Sequence, residues 1–157
     1  MNILLYQKGF IMMLKKMYME FSNFSKYGSS LSLLLARVVV AYGFYKPAMM
    51  KWNDIDSVAK WFGTMGVPFP TLNAYISAST ELVGVILLIL GLFTRLISIP
   101  LMIVMVVAIV TVHWTNGFSV VNNGFEIPLY YMLFLFIFLS HGAGAFSLDR
   151  LIFGEKS

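Results

Sequence analysis

The sequence predicts an all-α fold: a four-transmembrane-helix bundle, up-and-down, with a short interfacial helix between spans one and two. Three observations lead there. The chain of 157 residues is 59% hydrophobic and only 11% charged, whereas a soluble domain carries about 25% charged residues. Its mean hydropathy is +0.82, so lipid is the natural solvent for most of its surface. Its apolar residues gather into runs of roughly 20, the length needed to cross a hydrocarbon core, without the alternating segments of about 10 that mark a membrane β-barrel.

Taken in order, residues 1–28 read as an N-terminal cytoplasmic segment, either an amphipathic surface helix or an upstream extension, since Met12, Met13 and Met17 offer later starts. They lack the charged start and small-residue cleavage site of a signal peptide. A membrane domain follows over 29–152. Its first span, Ser32 to Met50, is opened by Ser29 and Ser30 as candidate caps. The connection "KWNDIDSVAKWFGTMGVPFPT" repeats Trp52, Ile55, Val58, Trp61 and Phe62 at helical spacing, with Asp54 or Asp56 available to cap a helix lying at headgroup depth. Gly66, Pro68 and Pro70 break it before span two, Leu72 to Phe93. In "GLFTRL", Gly91 ends span two and Arg95 begins span three, Leu96 to Trp114. A polar loop leads to span four, Ile127 to Phe146, with Pro128 in its first turn. Residues 153–157 form a cytoplasmic tail.

The net charge of +4 is read here as topology rather than as affinity for nucleic acid. Lys8, Lys15, Lys16, Lys26, Arg95, Arg150 and Lys156 fall on one side of an up-and-down bundle, while Lys51 and Lys60 on the other are offset by Asp54 and Asp56. The positive-inside rule then puts both termini in the cytoplasm.

Within the spans, charge is expensive, at roughly 3 kcal/mol or more near the bilayer centre, and it normally pairs or lines a wet cavity. Glu81 shares a helical face with Ala74, Ser77, Ala78 and Gly84, and Arg37 shares one with Ala41, Phe44 and Ala48. At about 1.5 Å per residue, the two charges differ in depth by less than about 10 Å in a core of about 30 Å. The expectation is an Arg37–Glu81 ion pair between adjacent antiparallel helices, serving either as a register pin or as the edge of a polar pocket. Secondary polar candidates are Lys46, which can snorkel; Glu126, which suits a helix N-terminus or could pair with Lys46; His113 and His141, expected on opposite sides of the membrane; and Tyr130, nearly on one face with His141. No metal site is expected. The absence of cysteine excludes disulfides and thiolate chemistry, and no phosphate loop, zinc spacing or nucleophile–base arrangement is present.

Four stretches carry a family resemblance: "LLLARVVVAYGFYKPAMMKW", "GVPFPT", "TELVGVILLILGLFTRL" and "HGAGAFSLDRLI". In this order, over residues 31 to 152, they resemble the DoxX family of small four-helix bacterial membrane proteins, although Ala143 stands where that family often has proline. The resemblance implies the bacterial cytoplasmic (inner) membrane. It also implies a connection to redox work, one relative being a subunit of a thiosulfate:quinone oxidoreductase and others associating with sulfur-transfer or oxidative-stress enzymes. The positions matching the family's polar pattern are Arg37, Lys46, Glu81 and Glu126. Three roles follow as expectations. The first is a membrane subunit or accessory of a redox system, with quinone as the candidate cofactor in an intramembrane polar pocket. The second is a non-catalytic anchor or assembly partner, and the third a small-solute or lipid-handling protein with the 51–71 connection as a lid. No autonomous catalytic motif is present, so enzyme status stays open and leans towards none. The expected partners are membrane lipid, a redox-enzyme subunit and a second copy of the chain, with no nucleic acid.

Overall fold

A computed structural model describes residues 2–154, and among them every regular element is helical. Helix α1 runs without a break from Asn2 to Asn53, about 78 Å at 1.5 Å per residue. This corrects the sequence expectation at Ser29 and Ser30. They are interior helical residues rather than caps, and the hydroxyl of Ser32 instead donates back to the Gly28 carbonyl. The N-terminal segment is therefore a direct extension of the first apolar helix. Lys156 lies outside the described residues.

The short helix expected between the first two spans is present as α2, Ile55–Thr64, with the Asp54 carboxylate accepting from the Ser57 amide at its N-terminus. Ser57, through its side chain first and its backbone amide second, holds the Asp54 carboxyl below the usual range. Its apolar side, led by Ala59 and Phe62, packs on Ala74 of the next helix. Helix α3, Pro70–Leu90, has its proline in the first turn and ends at Gly91 in the left-handed region. Helix α4, Thr94–Ala108, continues through a π-turn at Ile109–His113 and a 3₁₀ turn at Trp114–Asn116. Helix α5 spans Glu126–His141, and α6, Leu148–Phe153, closes the described chain.

Among the described residues, three helical segments are long and apolar enough to cross a membrane: Gly28–Asn53, Pro70–Leu90 and Thr94–Asn116. Glu126–His141 is apolar but shorter, because Gly142 ends it before the expected limit at Phe146.

The core lies where these segments meet. Val40, Phe44, Leu88, Leu101, Leu135 and Phe138 are all essentially buried. Small residues set the closeness of approach. A Cβ on Gly84 would press into the Leu101 side chain, and one on Gly43 would overlap the Tyr131 phenol, so α3 meets α4 and α1 meets α5 at glycines. Many large apolar side chains elsewhere face outward, such as Leu35, Ile86, Ile103 and Phe136, as expected of a surface that meets lipid.

Candidate functional site

Helix α1 turns one face inward along its last four turns. Arg37, Ala41, Phe44 and Ala48 are all buried on that face, as the helical spacing predicts. On α3, Ala74, Ala78, Glu81 and Gly84 are buried likewise and Ser77 half-buried. The two faces meet antiparallel: the Arg37 guanidinium donates to the Leu88 carbonyl at 3.1 Å, and the Trp52 ring lies edge-on to Tyr75.

That register overturns the expected Arg37–Glu81 pair. Interpolating between the two contacts puts Glu81 level with Tyr45, about two turns or roughly 12 Å along α1 from Arg37. Glu81 pairs with Lys51 instead. The Lys51 ammonium stands 2.5 and 2.6 Å from the two carboxylate oxygens, with side-chain exposures of 19% for the lysine and 2% for the glutamate. Because α1 continues to Asn53, Lys51 is a helical residue on the Arg37–Ala48 stripe, three positions past Ala48, and its long side chain reaches down to Glu81. The signal was legible as that continued spacing; reading Lys51 as a loop residue concealed it.

Arg37 belongs to a second polar cluster at the other end of the bundle. Besides Leu88, it donates to the Phe146 carbonyl at 2.5 Å. A cation there faces the C-terminal carbonyls of α3, where the helix dipole favours it. Asp149, 4% exposed, acts on the same guanidinium electrostatically. Its carboxylate also accepts from the amides of Phe93 at 2.7 Å and Thr94 at 3.0 Å, capping α4, while its own amide donates to the Gly91 carbonyl. Gly91 leaves the room this requires, since a Cβ there would overlap the Arg37 guanidinium. Sequence reasoning did not single out Asp149. Its one signal was its position in "FSLD", the closing stretch of the family resemblance. Arg37, "GLFT" and "FSLD", far apart in sequence, converge on this single knot.

The remaining candidates do not join either cluster. Lys46 is exposed on α1. Glu126 accepts from the Val120 amide and the Tyr130 hydroxyl, organising the loop before α5 rather than pairing with Lys46. The His113 ring bonds the Asn123 carbonyl and the His141 ring the Ile137 carbonyl, and Tyr130 is turned to Glu126 rather than towards His141.

A family model described as DoxX matches residues 32–114, which takes in Arg37, Lys51, Glu81 and the Gly91 turn. The chain belongs to the DoxX family. Among DoxX relatives, an uncharacterized protein of Haemophilus influenzae is 35% identical over 133 residues, 80% of this chain and 85% of the relative. The Bacillus subtilis protein named "Putative oxidoreductase CatD" is 30% identical over 124 residues, 78% of this chain and 88% of that protein. The inner membrane protein YphA of Escherichia coli is 31% identical over 91 residues, 58% of each chain. No solved structure matches. The family, the relatives' names and the apolar helices together make this a membrane protein.

Proposed function

We propose that this DoxX chain crosses the bacterial cytoplasmic membrane four times with both termini inside, and serves as the membrane subunit of a redox system. In this reading it meets a quinone head group at Lys51–Glu81. The observation that carries the reading is the pair itself, an ammonium and a carboxylate held between apolar helices. Lysine has three N–H donors and no acceptor. Two face the Glu81 oxygens, which leaves a third for a quinone carbonyl, and Lys51 is the partly exposed member of the pair. Aromatic Trp52 and Tyr75 beside it suit a planar ring. The oxidoreductase name of the Bacillus relative points the same way.

The fourth crossing rests on α5, 16 residues long and so about 24 Å. This is short of a ~30 Å core, a mismatch that local thinning accommodates. A reporter fused after Ser157 should be cytoplasmic, and periplasmic activity would refute the topology.

Native mass spectrometry with lipid extraction, on protein purified in mild detergent, tests the quinone. Retained quinone that is lost in Lys51→Met supports the reading. Phospholipid alone in the wild-type protein would favour a second one, a non-catalytic anchor in which the pair only sets helix register. What favours that second reading is that both Glu81 oxygens are already engaged and the carboxylate is 2% exposed.

A further inference from the structure

Helix α1 extends about 39 Å beyond the span that starts at Gly28, and from Gln7 to Phe21 every residue of it is exposed. An apolar surface of that extent marks an interaction site, and its pattern identifies the partner. Phe10, Leu14, Met17, Phe21 and Phe24 alternate at steps of four and three, the heptad rhythm of a coiled coil. The same steps continue through Gly28 and on to Tyr45 inside the span. The apolar side chains of this line are between 46% and 79% exposed and lie on a different face from the Arg37–Ala48 stripe packed on α3.

We infer that this line is a dimer seam, along which α1 of a second copy packs in parallel from the cytoplasmic extension into the membrane. Four observations converge. The membrane gives both copies the same orientation, so a symmetric pair is necessarily parallel and in register. The repeat over residues 10–45 covers five heptads, above the three to four that a coiled coil needs. Lys8, Lys15 and Lys16 fall at the outward b and c positions, and the flanking cross-seam pairs, Met13 with Tyr18 and Glu20 with Ser25, set no like charges against each other. Gly28 sits on the seam, and apart from its chain neighbours and its own helix backbone nothing lies within 4 Å of where its Cβ would be. Its own fold does not require a glycine there, whereas close approach of a second helix does. A helix lying flat on lipid would follow the 3.6 period and would have to bend away from the span. Here the helix passes the boundary unbroken, and its one proline is Pro47.

The chain has no cysteine, so single cysteines can be placed at will and cross-linked by oxidation in native membranes. Met17→Cys and Phe21→Cys on the seam should give a disulfide-linked dimer. In Met12→Cys and Met19→Cys, on the outward face, that band should be lost, although Met17 and Met19 are similarly exposed in one copy, at 58% and 50%. Leu35→Cys should extend the seam pattern into the span. Equal dimer bands at all positions would mean random collision. Bands at 12 and 19 alone would mean a different interface. Seam cysteines that cross-link only to a product of another mass would mean a different protein partner, and seam cysteines that form no cross-link and are shielded from a water-soluble maleimide would mean lipid. Any of these four results overturns the proposal.

Discussion

Removing the two partners of the Lys51–Glu81 pair should have unequal consequences, and the inequality follows from their exposures. Breaking a buried pair by deleting one member costs about 3–5 kcal/mol, because the survivor is left without compensation. Glu81 is 2% exposed, so Lys51→Met should carry that full cost. Lys51 is 19% exposed on the last turns of α1, and its flexible stem lets the ammonium swing to the water interface at that end of the helix. Glu81→Gln should therefore cost less, about 1.5–3 kcal/mol, which is the loss of a charge-assisted hydrogen bond. The double variant Lys51→Met/Glu81→Gln strands no charge and should be more stable than Lys51→Met alone. At about 2–4 °C per kcal/mol for a chain of this size, Lys51→Met should lower the melting temperature in detergent by roughly 6–20 °C and Glu81→Gln by less, roughly 3–12 °C. Thermal unfolding followed by fluorescence-detected size exclusion reads all three variants. Equal losses in the two single variants, with their sum in the double, would refute the claim that these groups form a coupled buried pair.

Other outcomes follow from the Arg37–Asp149 knot and from α2. Arg37→Lys keeps the charge but not the fork that reaches both Leu88 and Phe146; it should lower thermal stability by several degrees, and an unchanged melting temperature would count against the knot. Gly91→Ala must place a Cβ at φ 63° against the guanidinium, costing about 1–2 kcal/mol for the backbone and a further 1–3 for overpacking, so purified yield and melting temperature should both fall. Asp149→Asn should loosen the start of α4, seen as faster amide exchange at Phe93 and Thr94. The Asp54 cap has a depressed folded pKa, so its stabilisation of α2 is present above the unfolded value of about 3.9 and is lost as pH falls through the folded one. Trp61 fluorescence should report loosening of α2 only on acidification below about pH 4, and Asp54→Ala should remove that dependence.

The turns and faces of this fold were legible in the sequence because their causes are local. Gly91 at the end of α3, Asp54 at the start of α2 and the inward stripes of α1 and α3 each follow from residue types at fixed spacing. The partners of the buried charges were less accessible, because they depend on the register between helices. An axial offset of about two turns between Arg37 and Glu81 is invisible to hydropathy, yet it leaves Glu81 to Lys51 instead. Arg37 itself bonds backbone carbonyls, which carry no residue signature, and Asp149 lies on a helix of six residues, too short to announce itself by periodicity. The shared motifs nonetheless contained the Arg37–Asp149 cluster: three of the four stretches that carry the DoxX resemblance converge on it.

The distance along the chain between Arg37 and its last partner bears on how the protein is made. Phe146 follows Arg37 by 109 residues, so at about 5–20 residues per second the ribosome needs roughly 5–20 s after making the arginine to supply that carbonyl. Through that interval the first helix is already at the translocon with a guanidinium that has neither Phe146 nor Asp149 to meet it. The side chain lies in the N-terminal half of the Gly28–Asn53 span, within reach of the aqueous boundary at that end. The knot then closes as one of the last events of biogenesis, and a chain truncated before Phe146 would present the membrane's quality-control proteases with an unclosed bundle.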